Sequence, residues 1–117
     1  MISKNLIQNC VRDCNQCKLH CLSMKNNSHH QNCIRLCKIC QLVCELMLTI
    51  DSLNHSHTRI VRQLMKSCCL ECYNECKTHK HMKECQDCAN SCLKCYKACC
   101  NNKNTKKKKQ KSKKSKK

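Results

Sequence analysis

Between Cys33 and Cys44 the chain reads CIRLCKICQLVC, with cysteines at intervals of 4, 3 and 4. An interval that alternates between three and four averages close to the α-helical period. The stretch therefore predicts a helix with its sulfurs in one stripe along one face, where leucine normally sits. The same spacing occurs at Cys10, Cys14, Cys17 and Cys21. A third group, Cys68, Cys69, Cys72 and Cys76, keeps it when Met65 takes the first place. A fourth, Cys85, Cys88, Cys92, Cys95, Cys99 and Cys100, extends it as 3-4-3-4 before the final adjacent pair.

Four stripes in four segments predict an all-α fold, an antiparallel up-down-up-down four-helix bundle with a Cys-lined core. No period-two alternation argues for strands. Gly and Pro are absent, so nothing in the composition breaks helices. The helices are expected at about 4–25, 30–53, 58–79 and 82–101. KNNSHH supplies the first break and DSLNHSHT the second, with Ser56 or Thr58 as the expected N-cap of the third helix. The third break, near THKHM, is read from the phase of the stripes. Short connections favour antiparallel neighbours.

Of 117 residues, 18 are cysteine, and aromatic residues make up 2%, so sulfur replaces large rings in any interior. Net charge is +17, unevenly spread: residues 103–117 hold ten lysines and no acid. The chain is therefore expected to divide into a Cys-rich bundle over 1–102 and a disordered Lys-rich tail over 103–117. Such cysteine density suits a disulfide scaffold only in an oxidising compartment. The N-terminal stretch has no apolar run of signal-peptide length and no segment reaches transmembrane length, so the expected location is cytoplasmic, where thiols stay reduced.

A buried thiolate needs a cation, because an unpaired interior charge is very costly. Inert thiols would serve no better than Ala, Val or Leu, so the pattern points to metal. Soft thiolates select Cu(I), Zn or iron–sulfur clusters. Zinc takes four converging ligands, usually on knuckles, and continuous helical stripes are expected to lack discrete tetrahedral pockets. The iron–sulfur run C-x2-C-x2-C-x3-C-P is absent. Cu(I), with a filled d shell and two or three ligands, suits rows of i, i+4 sulfurs. If each thiolate bridges two ions, copper and sulfur approach one to one and the core nears neutrality. Several Cu(I) ions per chain are expected, well above half the cysteine count. All eighteen cysteines are candidate ligands, with Cys68, Cys85 and Cys100 the least secure and Cys100 the expected exposed thiol.

The stripes continue differently at the two ends. At the end holding the 1–2 and 3–4 connections they run into Met24, His29, His30, His79, His81 and Met82. At the other they run into Leu6, Ile7, Met47, Leu48 and Val61. A mouth lined by Met24, His29, His30, His79 and His81, and an apolar plug opposite, are therefore expected. Simple solvation is the alternative for any single loop histidine; His20, His55 and His57 are read that way. Ile39, Leu42, Val43 and Leu46 form a second apolar stripe on the second helix, read as packing beside the sulfur face or as a subunit interface.

Seven C-x3-C pairs in consistent phase (Cys10/Cys14, Cys17/Cys21, Cys33/Cys37, Cys40/Cys44, Cys72/Cys76, Cys88/Cys92, Cys95/Cys99) resemble the bacterial copper storage proteins over about residues 4–101. The resemblance implies a thiol-lined four-helix bundle storing many Cu(I) ions, usually a homotetramer, here of the cytosolic branch. Met65 and the Lys-rich tail depart from that pattern. Copper ions, a delivering copper chaperone and further copies of the chain are the partners a copper store implies.

Three other readings compete. A metallothionein-like zinc or cadmium buffer would be largely unfolded without metal, whereas periodicity and plug predict a helical metal-free protein. A disulfide-stapled bundle would need bridges of poor geometry between turns of one helix. A nucleic-acid or anionic-surface binder would act through the tail alone, since two tyrosines are the only aromatics and no reading motif is present. Catalysis is not expected, because near-equivalent thiols provide capacity and no privileged nucleophile.

Overall fold

Helices form where the cysteine stripes predict them. The computed structural model describes residues 2–25, 28–53 and 56–103, with side chains to residue 100. Helix α1 spans Lys4–Ser23, α2 Gln31–Ser52, α3 Thr58–Cys76 and α4 Lys83–Lys103, and a single 3-10 turn, Ser28–His30, precedes α2. No strand occurs among the described residues. His55 and residues 104–117 lie outside them, so the expected disorder of the tail does too.

The helices form a ring in which α1 packs against α2 and α4, and α3 against the same two. Cross-helix sulfur pairs give the directions. Cys17 lies 3.6 Å from Cys33 and Cys10 lies 4.0 Å from Cys40, so α1 and α2 run antiparallel. Cys33–Cys76 at 3.5 Å and Cys40–Cys69 at 3.7 Å reverse α3 against α2. The up-down-up-down bundle is the one expected.

Two helix ends fall short of their predicted limits, for local reasons. After α1, Met24 turns extended, with φ −73° and ψ 140°, and its N–H bonds the Cys21 carbonyl at 3.3 Å. After α3, the Thr78 hydroxyl takes the Glu75 carbonyl at 2.7 Å, while the Gln86 amide takes those of His79 and Cys76 at 2.9 and 3.4 Å. These side chains satisfy carbonyls that a helix end leaves open, and Gln86 ties the start of α4 to the end of α3. A chain without Gly or Pro stops its helix this way. At α3 the flanking residue is His57, in place of Ser56 or Thr58, and Thr58 opens the helix.

The plug end is as predicted in composition. Ile7, Met47, Val61 and Met65 are buried, and Leu6 and Leu48 pack partly buried beside them. Ile2, which precedes the first stripe, joins them. Among the described residues one charged side chain is buried: Asp13 accepts hydrogen bonds from Ser91 Oγ of α4 and, at 3.1 Å, from Arg12 Nε. On α2 the second apolar stripe does not pack inward. Val43 is buried, but Ile39, Leu42 and Leu46 are 43%, 55% and 44% exposed, because the sulfur face alone meets the other helices.

Candidate metal centre

Each helix contributes one sulfur row, and the four rows meet on the bundle axis. Every cysteine except Cys100, which is half-buried, is buried. The sulfurs make a continuous file. From Cys21 it steps to Cys85 at 4.0 Å, to Cys17 at 3.4 Å, to Cys33 at 3.6 Å and to Cys76 at 3.5 Å. It continues to Cys37 at 3.8 Å, Cys88 at 3.7 Å, Cys14 at 3.6 Å and Cys92 at 3.8 Å. Cys10 follows at 3.7 Å, Cys40 at 4.0 Å and Cys69 at 3.7 Å.

Most of these contacts join different helices. Pairs four apart on one helix also meet, Cys10–Cys14 at 3.9 Å and Cys72–Cys76 at 3.8 Å, but neighbours across the axis are as close or closer. The expectation that such rows lack four-sulfur pockets is therefore wrong. Among the groups whose ligand atoms all lie within 4.8 Å of one another, five consist of four buried sulfurs each: Cys10/Cys40/Cys44/Cys69, Cys10/Cys14/Cys40/Cys92, Cys14/Cys72/Cys88/Cys92, Cys17/Cys33/Cys37/Cys76 and Cys17/Cys21/Cys33/Cys85. Four helices at one level each bring a thiol to the axis, which a single-helix reading does not capture. Cys10, Cys14, Cys17, Cys33, Cys40 and Cys92 each belong to at least two groups. Shared ligands do not suit separate zinc sites with four thiolates of their own, whereas a cluster of bridging thiolates requires the sharing.

Hydrogen bonding polarises the file. Cys10 is held far below the ordinary thiol range by its hydrogen bonds with Cys14 and Cys40, and Cys14 is pushed well above it, first by its hydrogen bond with Cys10. At the outer end Cys21 is pushed up to about 11 by burial and by the charge of Cys17. Cys68 and Cys99 are also pushed up to about 11, chiefly by burial. Cys68, Cys95, Cys99 and Cys100 stand outside the five groups. Cys95 instead donates to the Leu6 carbonyl at 3.3 Å. Cys85, an uncertain ligand by sequence, is fully buried and joins a four-sulfur group with Cys17.

Above Cys21 and Cys85 the bundle opens into a cavity of about 260 Å³ lined by Met24, His30, Thr78, His79, His81 and Met82. Four of the five predicted mouth residues are brought together here. His29 is exposed and does not line it. Met82 does: its sulfur lies 4.0 Å from Cys85 Sγ. The signal was present in the sequence, three residues before Cys85. His30 and His79 rings lie 4.5 Å apart. His79 Nε2 sits 2.9 Å from Glu75 Oε2. A carboxylate only accepts, so Nε2 carries a proton and Nδ1 is the nitrogen left for a metal. His30 Nδ1 is buried without a hydrogen-bond partner, and burial followed by the charges of His79 and His29 lowers the His30 pKa. Both imidazoles line one space. Away from it, His20 is exposed and pairs with Glu84 at 3.7 Å, and His57 is exposed.

A family model described as copper storage protein matches residues 3–104. Among known structures, the chain is similar to the Cu(I)-bound copper storage protein BsCsp3, with a TM-score of 0.80 and 28% identity over 84% of this chain and 92% of that one. It is also similar to the apo form of copper storage protein 3 from Bacillus subtilis, with a TM-score of 0.74 and 28% identity over 82% and 90%. Comparison with curated proteins finds no match.

Proposed function

We propose, for a chain that belongs to the copper storage protein family, that the axial file of thiols is its copper store and holds many Cu(I) ions as cargo. The single observation that carries this reading is the sharing of six cysteines between four-sulfur groups. Each Cu(I) that enters displaces one thiol proton, so a one-to-one load leaves the dry core neutral, while a load of isolated Cu(thiolate)2 units would accumulate negative charge there. Anaerobic Cu(I) titration of the fully reduced protein against a competing chelator, run beside Zn(II), tests it. Saturation well above half the cysteine count is expected, and saturation at a handful of ions overturns the reading.

On this reading copper enters at the cavity. Met24, Met82, His30, His79 and His81 offer weak thioether and imidazole ligands, and Cys21 and Cys85 below them offer stronger thiolates. A gradient of ligand strength directs ions inward, and the apolar plug closes the far end. Residues 1–102 are the storage unit and 103–117 an appendage, so truncation after residue 102 should leave capacity unchanged. Reduced thiols need a reducing compartment, which supports a cytoplasmic location and delivery by a copper chaperone; fractionation of cells carrying the tagged full chain checks the location.

The outward apolar face supports a homo-oligomer. Ile39, Leu42 and Leu46 on α2 are joined by Ile60 and Leu64 on α3, 66% and 47% exposed. A contiguous apolar face of this kind marks an interface, and the tetramer that the family resemblance implies would cover it. Leu42→Lys with Leu46→Lys should reduce the sedimenting species to a monomer without loss of copper capacity.

A further inference from the structure

The His79 ring is held from behind by a chain of side chains that crosses from α3 to α2. Glu75 Oε2 accepts from His79 Nε2 at 2.9 Å, and the other Glu75 oxygen accepts from Asn32 Nδ2 at 3.2 Å. Asn32 Oδ1 in turn accepts from Arg35 Nη1 at 3.1 Å. A solvated loop histidine has no need of such backing. Groups in series behind one imidazole nitrogen orient a metal ligand and raise its basicity, with the other nitrogen turned to the ion. The turn that carries His79 is fixed as well. Its N–H bonds the Cys76 carbonyl at 3.1 Å, and its carbonyl accepts from the Met82 N–H at 3.2 Å and from the Gln86 amide at 2.9 Å.

Opposite His79 stands an unmet polar atom. The His30 Nδ1 is buried and has no hydrogen-bond partner, a costly state that a bound metal ion would relieve. The two rings lie 4.5 Å apart, tilted by 45°. Two imidazoles on one tetrahedral ion, at the usual metal–nitrogen distance, have centroids about 5 Å apart. His81 lines the same cavity. The thioethers there differ in kind: Met82 adjoins Cys85 at 4.0 Å and continues the soft donors that select Cu(I). Imidazoles backed by a carboxylate suit a borderline divalent ion.

We propose that His30, His79 and His81 form a site for a single Zn(II) ion, oriented by Glu75, Asn32 and Arg35, and that this ion caps the copper file. The inference rests on the mouth as the passage for copper proposed above. Ile7, Met47 and Val61 plug the opposite end, so an ion held across the cavity obstructs the end at which copper enters and leaves. Three imidazoles leave a fourth position to water, and no thiol of the file is consumed.

The test uses the reduced full chain, loaded anaerobically with Cu(I) and freed of loosely held copper by a weak chelator, so that the thiols are occupied. Co(II), a spectroscopic probe for Zn(II), is titrated into it, with helicity checked by circular dichroism. A single Co(II) should bind with the visible d–d bands of a tetrahedral nitrogen site and without sulfur-to-cobalt charge transfer, and Zn(II) should displace it. His79→Ala should abolish the bands. Asn32→Ala, at an exposed residue outside the coordination sphere, should weaken Co(II) binding by about 10- to 100-fold. Zn(II) should slow removal of Cu(I) by a strong Cu(I) chelator in the parent and have no effect on it in His79→Ala. A chain that fails to load copper overturns the store and the cap together. A normal load with no d–d bands, with sulfur charge transfer, or with bands that survive His79→Ala overturns the site alone. Unchanged affinity in Asn32→Ala overturns the role of the chain behind His79, and Co(II) binding with Cu(I) removal unaltered by Zn(II) overturns the cap.

Discussion

The sulfurs of Cys17 and Cys85 stand 3.4 Å apart across α1 and α4, though 68 positions separate them in the chain. Cys17 belongs to two four-sulfur groups and links the outer one, with Cys21 and Cys85, to the next, with Cys37 and Cys76. Cys17→Ser should therefore remove more than one ion from the saturating load and slow the filling of the sites beyond it. Cys100→Ser, at a half-buried thiol outside those groups, should change the load by at most about one ion. Stopped-flow loading and endpoint titration of both variants, anaerobic and reduced, separate rate from capacity. Equal losses from the two would contradict the shared-ligand arrangement.

The mouth makes a different prediction. Glu75 orients the His79 ring through its contact with Nε2 at 2.9 Å. Glu75→Gln weakens that orientation, because a neutral amide no longer fixes the tautomer, and His79→Ala removes the ligand. Both should slow copper uptake from a weak chelator, His79→Ala more strongly, and both should leave the final load unchanged because the thiol file is intact. A fall in final load with unaltered rate would place these residues in storage instead of entry.

Helix number, phase and plug were legible in the sequence because each depends on periodicity along one helix. Contacts between helices were not. The i, i+4 spacing of Cys10 and Cys14 is written in the chain, but the equally close approach of Cys10 to Cys92 at 3.7 Å depends on how α1 and α4 settle side by side. The four-sulfur groups follow from that, and the sequence reading excluded them. For the same reason the Leu42 stripe was read two ways, as inward packing or as an interface, and Met82 was placed at the mouth end but left out of its lining: a stripe records which residues share a face and leaves open what the face meets.

Burial of thiols sets a pH limit on the metal-free protein. Cys21, Cys68 and Cys99 are each raised to about 11 from the ordinary 9.0. The folded state therefore holds these protons after the unfolded chain has released its own. Stability they contribute is complete below pH 9 and is lost as pH rises through about 11. The thermal midpoint of the reduced apo protein should fall steadily across that window. The copper-loaded protein has already exchanged thiol protons for metal, so its midpoint should fall less over the same range. A flat apo profile from pH 8.5 to 11 would mean that these thiols are more open to water than their burial indicates.

Met65 occupies a stripe position in α3, is fully buried, and lies at the plug end of the file beyond Cys69. A thioether is neutral and cannot exchange a proton for Cu(I), so the position fills space where the regular pattern would place another thiolate. Met65→Cys supplies that thiolate, one turn from Cys69, whose sulfur is 3.7 Å from Cys40. The variant should bind about one more Cu(I) than the parent. It also leaves a small cavity in the apolar plug, so the apo protein should lose about 1 to 3 kcal/mol of stability by urea unfolding under reducing conditions. Copper loading should recover much of that loss, because metal bound only to the folded state stabilises it. An apo protein destabilised as expected, with an unchanged load, would mean that Met65 lies beyond the reach of the file and that the store ends at Cys69.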